Sequence, residues 1–188
     1  ISGHGEVKAV PEGQLQVMRP NTPRTSKQEI WLVVRAESLQ WSPATYNALF
    51  KALDDWSAAG NNLAGLQVDF DSKTRHLDRY AIFLGGLRRE LHAKYRLSIT
   101  GLLDWSANGD PKGLAALGHV VDEIVVQVYQ GRQTIPGYAH YLERLDRLDL
   151  PFRIGLVQGG DWKAPKSLSH NPDFRGYVVF LVNPKPAD

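Results

Sequence analysis

From residue 30 onward, short apolar runs alternate with segments of helical period, and few folds accommodate that alternation. Residues 30–36 (IWLVVRA) read as a buried strand. Ser42-Pro43 then offers an N-cap and a proline at the first helical position. Tyr46, Leu49, Phe50, Leu53 and Trp56 follow at helical spacing, and Gly60 ends that segment. Residues 63–70 form the next strand, and Leu77, Tyr80, Ala81, Leu84, Leu87 and Leu91 the next amphipathic face. Strands over 97–103, 123–129, 152–157 and 177–182 continue the series. A short helix from Asp110-Pro111 and another carrying Tyr141, Leu142, Leu145 and Leu148 lie between them.

Near-continuous Val/Ile/Leu runs imply strands covered on both faces, as a parallel sheet requires. Strict β-α alternation leaves a barrel or an open doubly wound sheet. No G-x-G-x-x-G or P-loop follows any strand, so the nucleotide-binding open sheet lacks its signature. The reading is an α/β fold, a TIM-type (β/α) barrel. With 188 residues, against the roughly 250 of a complete barrel, about seven strands are expected and the first is expected to be missing. Residues 1–188 read as a single domain. Residues 1–29, with three Gly and three Pro, read as an irregular arm holding one weak strand at 14–18.

Composition excludes several functions. Twenty-two basic against twenty acidic side chains, with no basic block, give no nucleic-acid footprint. The absence of cysteine removes disulfides, thiolate metal sites and cysteine nucleophiles. Six scattered histidines show no metal-ligand spacing, so neither a metal nor another cofactor is expected. No apolar run approaches the ~18 residues of a membrane span.

Polar residues interrupt the strands at particular places. In Ala64-Gly65-Leu66-Gln67-Val68-Asp69-Phe70-Asp71, pleating sends Leu66, Val68 and Phe70 towards the covering helices and Gln67, Asp69 and Asp71 inward. An unpaired carboxylate inside a barrel costs several kcal/mol, on the order of the buried-charge penalty, so such residues are satisfied or used. Barrel enzymes place their reacting groups at the carboxyl ends of strands. Arg35 and Glu37, Asp104-Trp105, Gln127 and Tyr129, and Gln158 with Trp162 occupy neighbouring strand ends. Carboxylates and amides beside aromatic rings suit a sugar, which has an apolar face and a rim of hydroxyls.

Each of these residues also has a structural reading. Asp69 also suits an ion pair with Arg35 on the adjacent strand, and Asp71 a cap on the following helix through residues 72–74. Tyr129 divides between a core-edge aromatic and a working phenol, and Trp105 and Trp162 between packing and a ligand platform. Gln127 differs, because an amide within a valine run is a poor packing choice.

Residues 65–71 resemble the D-G-L-D-I-D-W-E signature of family 18 glycoside hydrolases, the chitinase-like barrels, and Gln127-Val128-Tyr129-Gln130 is similar to their later M-x-Y-D strand end. That resemblance implies Asp71 as general acid, Asp69 as its assistant and Tyr129 as the group holding the reacting N-acetyl substituent. The sequence departs from the pattern at Ala64, Gln67, Asp71 and Gln130, and Asp71 is one methylene shorter than the glutamate it replaces. A second resemblance covers residues 30–160. G-L-Q-x-D-x-D, L-x-x-Y-x-x-F-L-x-x-L-R, L-S-I-T-x-L-x-x-W and V-D-E-x-V-x-Q resemble the bacterial barrel family called domain of unknown function 3142, which implies the barrel and no activity.

Two carboxylates at i and i+2 of one strand lie ~6–7 Å apart at the backbone and point the same way. They suit a substrate-assisted reaction better than an acid and nucleophile on opposite sides of a glycosidic bond. The expectation is a glycoside-hydrolase-like barrel acting on a polysaccharide or N-acetylated glycan, with Arg35, Glu37, Gln67, Asp104, Trp105, Gln127, Gln158 and Trp162 as substrate-binding residues. The alternative is a non-catalytic glycan-binding or cell-envelope structural barrel. The glycan reading points to an exported location, periplasmic or in the cell envelope of a bacterium.

Overall fold

The computed structural model describes residues 4–9, 15–17 and 29–180, with the side chains of 29–180 apart from 146 and 147. Its strands are β1 (His4–Ala9), β2 (Leu15–Val17), β3 (Glu29–Ala36), β4 (Asn62–Asp69), β5 (Arg96–Leu102), β6 (Glu123–Gln127), β7 (Tyr129–Gln130), β8 (Gln133–Thr134), β9 (Phe152–Val157) and β10 (Phe174–Phe180). The helices are α1 (Pro43–Ala58), α2 (Leu77–Glu90), α3 (Trp105–Asn108), α4 (Pro111–Gly118) and α5 (Tyr138–Leu142), with 3₁₀ turns at Leu145–Leu148 and Lys166–His170.

The main sheet has the order β10-β9-β6-β5-β4-β3-β1-β2. Every neighbouring pair in it is parallel except β1 and β2. It curls as part of a TIM barrel and stays open, with β10 and β2 as its edges among the described residues. Among the described residues the barrel is therefore incomplete. The glycine- and proline-rich first segment contributes two strands where an irregular arm with one was expected. β2 lies within the anticipated 14–18, and β1 runs parallel to β3 in addition.

The helices form where the sequence supplies their ends. Ser42 accepts a bond from the Thr45 amide at 3.2 Å, and Pro43 opens α1. Asp110 caps α4 in the same way, accepting from Gly113 N at 2.9 Å ahead of Pro111. Leu49, Leu53 and Trp56 of α1 and Leu77, Tyr80, Leu84 and Leu87 of α2 pack on Leu32, Val34, Leu66, Val68, Leu97 and Ile99 of the sheet. Each fully buried leucine there contributes about 1.5–3 kcal/mol.

Register determines which residues meet inside. A bulge shifts pairing from Ile30↔Leu63 to Trp31↔Gly65, so Gly65, Gln67 and Asp69 run level with Trp31, Val33 and Arg35. Gly65 is required by close approach, since a Cβ there would lie 2.0 Å from the Arg96 carbonyl oxygen. At the amino end of the interior, Glu29 and Arg96 pair at 2.5 Å, with the guanidinium over Trp31 at 4.8 Å. Glu123, 5% exposed, pairs with Arg153 at 3.1 Å.

Two elements differ from the expected bounds. The strand expected over 123–129 leaves the sheet after Gln127, and Tyr129–Gln130 pairs instead with Gln133–Thr134. Gly131, at φ 59, makes the tight turn between them. The last strand begins at Phe174 rather than 177, and residues 181–182 lie outside the described residues.

Candidate functional site

The alternation along β4 continues past its end. Leu66 and Val68 are fully buried beneath the helices, and the Phe70 ring lies 5.3 Å from Tyr80 of α2. On the opposite face, Gln67 donates to Ser98 Oγ at 3.0 Å, while its own Oε1 is buried without a partner. One pleat further, Asp69 accepts from Thr100 Oγ1 at 2.7 Å through one oxygen and pairs with Arg35 at 3.0 Å through the other. Asp71, beyond the strand and half exposed, accepts from Arg35 Nη2 at 2.5 Å. A single guanidinium therefore bridges the two carboxylates.

A guanidinium carries donors only, so both aspartates act as acceptors in this arrangement. Burial opposes the Arg35 charge, but the bond to Asp71 and the charge of Asp69 outweigh it and hold the group above the usual arginine range. The Tyr129 phenol is pushed up, first by burial and then by the Asp69 carboxylate, so it stays protonated well past neutral pH. Its oxygen accepts from Gln127 Nε2 at 3.4 Å, which leaves its own proton free to donate.

These groups line one cleft of about 720 Å³ at the carboxyl end of β3–β6. Arg35, Asp69, Asp71, Asp104, Gln127 and Tyr129 lie on it together. The other candidates lie elsewhere. Trp105 is 1% exposed and donates its indole N–H to the Ser72 carbonyl at 3.1 Å. It packs edge-on to Tyr80, so it is a core residue and offers no platform to a ligand in this cleft. Gln67 is buried one pleat below the cleft, and Glu37 and Gln158 sit on exposed turns outside it. Trp162 stacks on Tyr138 at 4.9 Å, also away from the cleft. The capping alternative for Asp71 is displaced, because α2 starts six residues later with His76 at its N-cap.

Thr100, buried beneath the cleft as a partner of Asp69, and Tyr141, on its wall, were not anticipated. Thr100 is legible by the same pleating argument, since Ser98 and Thr100 alternate with Leu97 and Ile99 along β5. Tyr141 supplies the aromatic wall that Trp105 does not. The buried Ser106 hydroxyl holds that segment, within 3.0 Å of the Leu103 carbonyl and 2.9 Å of the Tyr141 carbonyl. Nothing in the local sequence signals this contact across 35 residues. A second cavity, about 610 Å³, lies among α3, α4 and the Leu145–Leu148 turn and contains none of the paired charges. Among the described residues no cluster of acidic and histidine side chains could hold a metal, and no helix is long and apolar enough to cross a membrane.

The model of the family described as domain of unknown function DUF3142 matches residues 35–144. The chain belongs to that family. The match begins at Arg35 and takes in every cleft residue described above. In structure, the DUF3142 chain is similar to the spore cortex-lytic enzyme SleL of Bacillus cereus, with a TM-score of 0.58 and 17% identity over 81% of this chain and 42% of that one. It is similar to the chitinase domain of the spore coat protein CotE of Clostridium difficile, with a TM-score of 0.53 and 11% identity over 80% and 57%. It also resembles a class V chitinase from Pseudomonas fluorescens Pf-5, with a TM-score of 0.53 and 19% identity over 84% and 60%. These likenesses establish a glycoside-hydrolase-like barrel fold. The DUF3142 chain spans about half the length of the structures it matches. No curated protein matches it in sequence.

Proposed function

We infer that the cleft binds a polysaccharide built from N-acetylated sugars and cleaves it with substrate assistance. The observation that carries this reading is the convergence of Asp69, Asp71 and Tyr129 on one accessible cleft at the carboxyl ends of the strands. The kinship of the fold with enzymes named for chitin and spore-cortex lysis supports it.

In this reading Asp71, at the mouth, gives its proton to the glycosidic oxygen as that bond breaks. The sugar's acetamido oxygen forms the new bond to the anomeric carbon, and water later reopens the ring, returning a proton to Asp71. Asp69 is fixed behind it by Arg35 and Thr100. The Tyr129 O–H donates to the acetamido group as charge develops. The Arg35 bond to Asp71 must open for Asp71 to carry its proton.

That same bond favours a second reading, a groove that binds glycans without turning them over. Reducing-end release from chitin oligomers, by wild type and by Asp71→Asn, separates the two. Hydrolysis by the wild type that falls at least about 10²-fold in Asp71→Asn supports the enzyme. Binding by both with turnover in neither supports the groove. Equal turnover in both contradicts the role given to Asp71.

A further inference from the structure

Asp104 differs from the other two acids of the cleft. It occupies the N-cap position of α3, yet its side chain makes no capping hydrogen bond. The Ala107 and Asn108 amides bond to its main-chain carbonyl, at 3.1 and 2.8 Å. Among the described residues its carboxylate has no hydrogen-bonding or ion-pairing partner, although the residue is half-buried and lines the cleft. A sheltered carboxylate without a partner is destabilising unless something offsets it. Helix capping does not use this one.

The charge of the cleft points to what does. Among the described residues its lining carries three carboxylates, Asp69, Asp71 and Asp104, against the single guanidinium of Arg35. That guanidinium is already engaged by the first two. Asp104 is therefore the unmatched negative charge, and the cleft disfavours a uronate or a phosphorylated sugar. Close by, Gln127 and Tyr129 present amide and phenol groups suited to neutral hydroxyl and acetamido substituents.

We propose that Asp104 is a specificity residue, and that the cleft takes a partly de-N-acetylated amino-sugar polymer whose free ammonium group pairs with the Asp104 carboxylate. The inference rests on the glycan reading and deepens it. An N-acetyl group at the Tyr129 end and an ammonium at the Asp104 end distinguish such a polymer from chitin and from acidic glycans alike. Asp104 acts by contact with the ligand and takes no part in bond cleavage.

The test is calorimetric titration of the full chain with three tetrasaccharides: fully acetylated chitotetraose, its partly de-N-acetylated counterpart, and a tetragalacturonate. The expected result is about five- to tenfold tighter binding of the partly de-N-acetylated oligomer over the fully acetylated one at low salt, and the weakest binding for the uronate. Asp104→Asn, checked for an unchanged circular dichroism spectrum, is expected to abolish that preference. Asp104→Glu is expected to keep it. Binding of all three oligomers without preference for the amine, or a preference that survives Asp104→Asn, overturns the assignment and leaves the glycan reading standing. Absence of binding by every oligomer overturns both.

Discussion

Arg35 and Asp69 stand level across the β3–β4 pair, and their side chains meet at 3.0 Å, with Thr100 Oγ1 closing on the other Asp69 oxygen at 2.7 Å. Asp69 is thereby satisfied inside the barrel, while Asp71, bonded to the same arginine, remains half exposed. The two carboxylates that look alike in sequence have different physical roles, and separate experiments distinguish them.

Arg35→Ala leaves the Asp69 carboxylate sheltered with one partner. It is expected to lower unfolding stability by about 1–3 kcal/mol in a urea titration. Asp71→Asn removes only a solvent-facing partner and is expected to change stability by less than about 0.5 kcal/mol. A larger loss for Asp71→Asn than for Arg35→Ala contradicts this division.

Trp105 is read as core. Trp105→Ala is expected to cost about 3–5 kcal/mol. Trp105→Phe keeps the packing and loses the bond to Ser72, and is expected to leave any glycan affinity unchanged. Weakened binding in a Trp105→Phe protein of near-native melting temperature contradicts a core role.

Most of the fold is legible in the sequence because burial on both faces writes a parallel strand as an apolar run. β9 occupies 152–157 as expected, and β3, β4 and β5 lie within a residue of their expected starts. β1 escapes that logic, since His4–Ala9 carries His, Glu and Lys within six residues and lacks such a run. For the site, pleating was enough to bring Asp69, Asp71 and Arg35 together. It failed at Trp105, because strand alternation stops at Leu102 and residue 105 already belongs to a helix. Whether such an aromatic faces a cleft or the core depends on the turn between, which period-2 reasoning does not reach.

Gly65→Ala is expected to destabilise the chain by at least about 3 kcal/mol or to prevent folding. The added methyl would meet backbone of the neighbouring strand, not a side chain that can turn aside. An alanine variant with a near-native melting curve contradicts the close β4–β5 approach.

Alkaline pH is expected to unfold the protein through its buried phenols. Tyr80, fully buried, is raised well above 10 by burial and then by Asp69 and Asp71, and Tyr129 is raised by burial and Asp69. Below the unfolded value near 10 both states keep the phenol proton, and this contribution to stability is fully present. As pH rises past 10 towards the folded values, only the unfolded chain releases it, so stability falls by up to about 1.4 kcal/mol per pH unit for each group. Urea titrations between pH 9 and 11 measure this, and Tyr80→Phe is expected to flatten the fall. A midpoint independent of pH over that range contradicts the assigned burial.

The most direct test of the glycan cleft is amide NMR of the labelled chain during titration with chitotetraose. Shifts confined to the neighbourhood of Arg35, Asp69–Asp71, Asp104 and Gln127–Gly131 are the expected result. Shifts centred instead on the second cavity around Pro111 and His119, or no shifts with any chitin oligomer, contradict it.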